Sequence, residues 1–182
     1  MTLFSMYNAG IFEIVAPRLN LDTSRFERVS NLPSDFSCRM AFCLIGQENA
    51  DEYISSLRLS NAVAGRIRKL IRLSELPLSA STAPKLRRLM AEAGEELDDL
   101  LSIRKALGES VAGIRGRAAK IADRGDCLNV KSLAVDGKDL ALMGISGKNI
   151  GVALNALLDA VLDNPRLNNK QKLLKIAKDM AF

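Results

Sequence analysis

Apolar residues recur at helical spacing along almost all of this 182-residue chain, and no strand-length alternation of Val, Ile or Thr occurs. Spacings of three and four residues place side chains on one face of an α-helix, whereas a half-buried strand needs an alternation of period two. Apolar residues make up 48% of the chain, which is enough to build a core. The pattern therefore predicts an all-α fold with several helices.

Capping residues mark where two of the longer predicted helices begin, because Ser and Thr side chains accept hydrogen bonds from the unpaired amides of a first helical turn. Ser60 precedes a helix that is predicted to run to about Arg72. Thr82 precedes a second helix, and Pro84 lies in its first turn, where proline is tolerated. Gly94 is predicted to end that helix in a left-handed conformation.

Shorter helical segments are predicted closer to the start of the chain. A helix within residues 34–45 has Ser34 or Asp35 as its N-cap. The apolar residues predicted to share its inner face are Phe36, Met40, Cys43 and Leu44. Two helical turns are predicted at residues 2–8 and 11–16.

A short helix, a glycine turn and a long helix are predicted to follow one another within residues 139–163, with Asp139 as the first N-cap. Gly144 and Gly147 bound the turn. They let backbone amides converge at the N-terminus of the second helix, where the helix dipole favours an anion, and Lys148 adds a positive charge. The same Gly-x-x-Gly pattern is typical of a tight turn between packed helices. A backbone-gripping phosphate site and a plain turn are therefore both open interpretations.

Basic residues are clustered along the chain, although the net charge is only +5. Five with no acid lie in 58–72, six with two acids lie in 104–124, and five with no acid lie in 166–178. Segregated positive charge attracts polyanions. Each cluster, taken alone, is also what the solvated face of a helix looks like.

A helix over about 109–123 combines basic and small residues. The residues predicted to point inward are Val111, Ile114, Ala118 and Ile121, and those predicted to point outward are Arg115, Arg117 and Lys120. Small residues between Ala112 and Ala119 allow another backbone to approach closely. That backbone is either a neighbouring helix or a bound partner.

Several functional classes are excluded by composition. The chain has no histidine, so a Ser-His-Asp triad, a Cys-His dyad and a zinc site with imidazole ligands are impossible. Three cysteines (Cys38, Cys43, Cys127) form no Cys-x-x-Cys pair and are predicted to be buried apolar side chains in a reducing cytoplasm. No apolar run reaches membrane-spanning length, so no membrane association is expected.

The segment LAVDGKDLALMGISGKNIGVALNALLDAVLDNPRLNNKQKLLKIAK at residues 133–178 resembles the C-terminal portion of bacterial tRNA nucleotidyltransferases, the CCA-adding enzymes, and of their poly(A) polymerase relatives. The signature is Gly137-Lys138-Asp139-Leu140, then Gly144-Ile145, Gly147 and Ile150-Gly151. Looser similarity covers LRLSN at 57–61, LRRLMAEAGEELDDLL at 86–101 and YNAGIFEIVAPRL at 7–19. The resemblance therefore extends over nearly the whole chain.

The resemblance implies a helical body, residues 1–126, and a small helical tail, residues 127–182, that contains a helix-hairpin-helix-like turn. In that family these regions hold the tRNA acceptor stem and elbow while a catalytic head adds CCA to the 3′ end. The head's Gly-Ser pair and Asp-x-Asp metal ligands are missing from this sequence. No catalytic residue, metal ligand or cofactor is therefore assigned here, because Mg²⁺ and the nucleotide would belong to the head.

The expected partners are tRNA, recognised by duplex shape and phosphates, and a catalytic head or a second copy of the chain. The candidate RNA-binding residues are Arg66, Lys69, Arg115, Arg117, Lys138, Gly144, Gly147 and Lys148. The alternative function is a helical module for protein–protein interaction or dimerisation without RNA binding. Affinity that does not depend on salt would distinguish this alternative from RNA binding.

Overall fold

The computed structural model describes residues 5, 8–11, 14, 22–78, 80 and 82–180. Its α-helices are, in chain order, α1 (Phe26–Val29), α2 (Phe36–Leu44), α3 (Ala50–Ser56), α4 (Asn61–Glu75), α5 (Ala83–Ala93), α6 (Leu97–Ala106), α7 (Ile114–Asp123), α8 (Gly137–Leu142), α9 (Lys148–Asp163) and α10 (Lys170–Lys178). Short 3₁₀ helices occur at Thr23–Arg25, Gly94–Glu96, Val130–Ser132 and Pro165–Leu167. These residues contain no β-strand, so the predicted all-α fold is confirmed. The turns predicted at 2–8 and 11–16 lie for the most part outside the described residues.

Side-chain caps begin the helices much as their sequence signals predict. Ser60 accepts a 3.4 Å hydrogen bond from the amide of Val63, and Thr82 accepts one of the same length from the amide of Lys85. Of the two predicted N-caps of α2, Ser34 and Asp35, the structure shows Asp35 in this role. Its carboxylate accepts a 2.8 Å hydrogen bond from the amide of Cys38. Each of these bonds satisfies a first-turn amide that no helical carbonyl can reach.

The described residues form two compact units. Unit 1 comprises Met1–Leu78 and Glu95–Val111, and unit 2 comprises Ser79–Gly94 and Ala112–Phe182. These bounds differ from the predicted body (1–126) and tail (127–182), because helices α5 and α7 belong to unit 2. The division into body and tail is a division by role and stays a prediction.

Helices α2, α4 and α6 pack together in unit 1. The side chains that fill their common core include Phe42, Ile67, Leu70, Leu100 and Ile103, all of which are fully buried. Removing this much apolar surface from water is the main source of the unit's stability.

The predicted inner face of α2 is correct for Leu44, which is fully buried, and wrong for Phe36. Phe36 is exposed, whereas Cys38, Ala41 and Phe42 are buried. The helix carries two overlapping apolar stripes. The buried stripe begins at Cys38 and continues to Ile45 with i, i+3, i+4 and i+7 spacing. Periodicity alone does not choose between two such stripes.

In unit 2, helix α9 packs against α5 and also against α8 and α10, and α7 packs against α5. The buried cluster around α8, α9 and α10 consists of Cys127, Leu133, Val135, Leu140, Ile145, Ala153, Leu157, Val161, Leu173 and Ala177. On α7 the predicted inward residues Ile114, Ala118 and Ile121 are buried, whereas the fourth, Val111, is half-buried and precedes the helix. The hairpin is therefore supported by a continuous apolar core.

Arginine side chains close helix C-termini in unit 1. Arg104 is only 3% exposed and donates to the carbonyls of Leu73 (2.6 Å) and Leu76, where α4 ends. Arg25 likewise donates to the carbonyl of Ile45 (2.7 Å), beyond α2. The last carbonyls of a helix have no intrahelical partner and carry negative partial charge, so a guanidinium satisfies them well.

Candidate nucleic-acid interface

A helical hairpin made of α8, the turn at residues 143–147 and α9 holds four of the predicted RNA-binding residues. Asp136 is the N-cap of α8, and Asp139 occupies the third helical position of a capping box. The prediction that Asp139 is the N-cap is therefore wrong. The N-cap is three residues earlier than predicted. The Asp136 carboxylate accepts hydrogen bonds from the amides of Lys138 (2.8 Å) and Asp139 (3.0 Å), as in a capping box.

One hydrogen bond ties the turn of the hairpin to α8, and one close approach joins its two helices. The buried residue Ile145 donates its amide to the carbonyl of Leu140 at 3.2 Å and packs in the core. A Cβ added to Gly137 would lie 3.2 Å from the Cγ2 atom of Ile150. A Cβ at position 137 would therefore require the Ile150 side chain to move by a few tenths of an ångström.

Glycines also shape the turn itself. Gly144 has φ +89°, and Gly147 has φ +58° and ψ −136°. Residues with a Cβ atom rarely adopt these conformations, so the chain reverses here only because both positions are glycine. The structure thus contains the tight turn between helices that one interpretation predicts. A phosphate site at this turn stays a prediction.

The N-terminus of α9 is open to solvent. Gly147 is its N-cap and no side chain caps the first turn. Ser146, Gly147 and Lys148 are exposed, whereas the amides of Asn149 and Ile150 already donate to the carbonyls of Ser146 (3.2 Å) and Gly147 (3.3 Å). An approaching anion therefore reaches the exposed start of the first turn and the Lys148 ammonium. This arrangement can hold a phosphate, but it can distinguish no base.

Lysines dominate the charge beside the hairpin. Lys138 is exposed in the first turn of α8. The neighbouring carboxylate of Asp139 is paired with Lys170, whose Nζ lies 2.6 Å from Oδ1. That hydrogen bond from Lys170 lowers the pKa of Asp139 and keeps the carboxylate ionised. The acids of α8 therefore cap and pair within the fold, which leaves Lys138 and Lys148 at the surface.

Helix α7 presents the second basic surface of unit 2. Arg115, Arg117 and Lys120 are exposed, as predicted. A Cβ added to Gly116 would meet no atom within 4 Å. Within the part of the chain that the structure describes, no helix covers this small residue. Within the small-residue stretch, Ala118 packs in the core and Gly116 lies on the exposed face of α7.

Arg66 and Lys69 lie in unit 1, and both are engaged by carboxylates. Arg66 donates to Asp35 at 2.7 Å and to Asp99, so it links α4 with α2 and α6. Lys69 lies 2.6 Å from Glu96. The hydrogen bond from Lys69 lowers the pKa of Glu96, whereas burial raises the pKa of Asp99. A phosphate at this face would have to compete with these carboxylates for both cations.

A buried ion-pair network in unit 2 had no signal in the sequence. Arg87 is 6% exposed on α5, and its Nε donates to Asp126 at 2.7 Å. Its Nη1 donates to the carbonyl of Leu162 at 2.7 Å, at the end of α9. The next residue, Arg88, binds both carboxylate oxygens of Asp163 at 2.6 and 2.8 Å. Neighbouring arginines on one helix thus fasten the end of the hairpin's long helix.

The two units differ in net charge. Unit 2 has 15 Lys and Arg against 8 Asp and Glu, which is +7, and unit 1 has 11 against 13, which is −2. The modest charge of the whole chain therefore conceals one strongly basic unit. The predicted residues on α7 and on the hairpin all belong to it.

The described residues contain no group of three or more Cys, Asp and Glu side chains that could hold a metal ion. None of their helices combines the length and the apolar character that crossing a bilayer requires.

No protein-family model matches the sequence, and comparisons with curated proteins and with solved structures find no match.

Proposed function

We propose that this chain binds tRNA, chiefly through unit 2, and holds its acceptor stem and elbow for a nucleotidyltransferase head that adds CCA to the 3′ end. The observation that carries the proposal is the concentration of charge, +7 in unit 2 against −2 in unit 1. Phosphodiester backbones dominate the affinity of nucleic acids for proteins, and a basic unit of this kind is their electrostatic complement.

The hairpin adds geometry to the charge. Its glycine turn leads into a 16-residue helix that begins at Lys148 and has no side-chain cap. Motifs that bind a nucleic-acid backbone without reading bases use helix N-termini in this way. The resemblance of residues 133–178 to tRNA nucleotidyltransferases connects this backbone grip with tRNA in particular.

The chemical step is assigned to the head and not to this chain. The sequence lacks the Gly-Ser pair and the Asp-x-Asp ligands that two catalytic Mg²⁺ ions would need. The three cysteines are all free thiols, which suits the proposed cytoplasmic location.

Binding of a tRNA transcript by the full chain, measured from about 50 to about 300 mM salt with duplex DNA of similar length as control, tests the proposal. We expect preferential tRNA binding whose dissociation constant rises steeply with salt. Absence of binding at low salt, or equal binding of the DNA, would overturn it.

The second candidate function is a protein-interaction or dimerisation module. The observation that favours it is Leu142, an 88% exposed leucine at the end of α8. Sedimentation of the chain over a concentration series tests this function. Self-association that is insensitive to salt and is removed by Leu142→Ser would favour it over RNA binding.

A further inference from the structure

The outer surface of α10 carries a row of lysines that belongs neither to the hairpin nor to α7. Leu173 and Ala177 face the core and are buried, whereas Lys172, Lys175 and Lys178 are exposed. At about 100° per residue the three lysines span about 120° of the helix circumference, opposite the buried stripe. Successive lysines lie about 4.5 Å apart along the axis, so the row is rigidly spaced.

Two neighbouring segments extend this row. The Nζ atom of Lys172 donates to the carbonyl of Arg166 at 3.0 Å, which places the segment containing Arg166 beside the row. Asn168 ties that segment to the 3₁₀ turn that contains Lys131, through bonds of 2.8 Å to the amide of Ala134 and 3.0 Å to the carbonyl of Ser132. Arg166 and Lys131 are both exposed.

We call these five residues the α10 lysine face: Lys131, Arg166, Lys172, Lys175 and Lys178. Asp179 is exposed directly after Lys178 and is the acid nearest to the row in sequence. Lys170 does not belong to this face, because its ammonium is paired with Asp139 on α8. Asp163, three residues before Arg166, is paired with Arg88, so the five cations of the face outnumber two neighbouring acids and complement a polyanion.

The composition of unit 2 indicates which form of polyanion fits. Its sequence contains one aromatic residue, Phe182, at the last position. Proteins that hold single strands stack successive bases on aromatic side chains, and residues 82–94 and 112–180 contain none. A duplex keeps its base faces stacked inside and carries its phosphates along the outside, where lysines suffice to contact them.

We propose that the α10 lysine face binds the phosphodiester backbone of double-stranded RNA, as a third contact surface in addition to the hairpin and α7. This inference rests on the proposed function, because it extends the RNA footprint of the same unit. Binding energy is then divided among three surfaces. Removing the α10 row weakens binding to every duplex sequence alike.

The test uses the full chain with Lys172→Gln, Lys175→Gln and Lys178→Gln combined. The matched control combines Arg58→Gln, Lys85→Gln and Lys105→Gln, three exposed residues outside the face, so both variants lose three charges. The probes are an RNA hairpin with a stem of about 20 base pairs and an unstructured RNA of equal length. Circular dichroism and thermal unfolding verify that both variants fold.

We expect the α10 variant to bind the RNA hairpin at least about tenfold more weakly at low salt, with a log–log salt slope shallower by about two to three. The control variant should keep most of the affinity. If wild-type chain binds no RNA, the proposed function itself fails. If wild-type binds and the α10 variant binds equally well, only the inference fails.

Three other results would also overturn the inference. Equal losses in both variants would show that net charge alone matters. A loss confined to the unstructured RNA would show that the row does not contact a duplex. If the α10 variant also lost its binding to anionic vesicles or to polyglutamate by the same factor, the face would be a general anion surface and not an RNA contact.

Discussion

The Nε atom of Arg87 donates a 2.7 Å hydrogen bond to the Oδ2 atom of Asp126, 39 residues away in sequence, and both side chains are buried. The same guanidinium closes the end of α9 through the carbonyl of Leu162. One side chain therefore joins α5, the turn after α7 and the long helix of the hairpin. Because the basic surfaces of unit 2 lie on α7 and on the hairpin, Arg87 positions them without contacting a ligand.

Replacing Arg87 by Met is expected to destabilise the chain by about 3 to 5 kcal/mol, because it removes one partner of a buried ion pair and leaves helix carbonyls unsatisfied. Urea unfolding measures the loss. The control is Arg124→Ala, which removes the other, 54% exposed partner of Asp126 and should cost less than about 1 kcal/mol. Equal losses in the two variants would contradict the assigned role of Arg87.

Stability is expected to fall in acid as Asp126 becomes protonated. A hydrogen bond from Arg124 is the largest influence and lowers the pKa of Asp126, burial opposes it, and Arg87 lowers the pKa further. The folded state therefore binds this proton more weakly than the unfolded state does. The contribution is complete above the unfolded pKa of about 3.9 and is lost as the pH falls through the folded pKa.

The measurement for this prediction is urea unfolding of wild type and Asp126→Asn from pH 7 down to about pH 2.5. We expect the difference in unfolding free energy between the two proteins to be constant near neutral pH and to shrink below about pH 4. A difference that does not change with pH would show that the charge of Asp126 contributes nothing.

Two glycines of the hairpin are expected to respond oppositely to alanine. Gly147 has φ +58° and ψ −136°, so Gly147→Ala should destabilise by about 1 to 3 kcal/mol. Gly151 lies within α9 with open space around an added Cβ, so Gly151→Ala should stabilise by about 0.5 to 1 kcal/mol. Thermal unfolding of the two variants gives the signs, and the same sign for both would refute the assigned turn geometry.

Charge reversal on α7 tests its place in the RNA surface. Arg115→Glu combined with Arg117→Glu is expected to weaken tRNA binding and to make the log–log salt slope shallower by about two. Titrations at several salt concentrations measure both quantities. The matched control is Arg58→Glu with Lys105→Glu, which makes the same change in net charge on unit 1. Unchanged binding by the α7 variant would mean that this helix face does not contact RNA.

Much of the fold was predictable because its signals are local. Ser60, Thr82 and Asp35 begin helices by binding amides three residues ahead, and glycines at 144 and 147 reverse the chain through their own backbone angles. Such signals involve only residues that are close together in the sequence. For the same reason the glycine turn and the exposed lysines of the hairpin were recognisable as candidates.

The roles of the arginines depend on partners far away in sequence. In the sequence Arg66 and Arg104 look like surface charge, yet one bridges Asp35 and Asp99 and the other is buried against the end of α4. Packing against distant helices also decides that Phe36 is exposed and Phe42 is buried, because α2 has two apolar stripes. Helix positions follow from contacts within a turn, which the order of residues dictates. Which charges are left at the surface follows from packing between helices, which only the folded chain establishes.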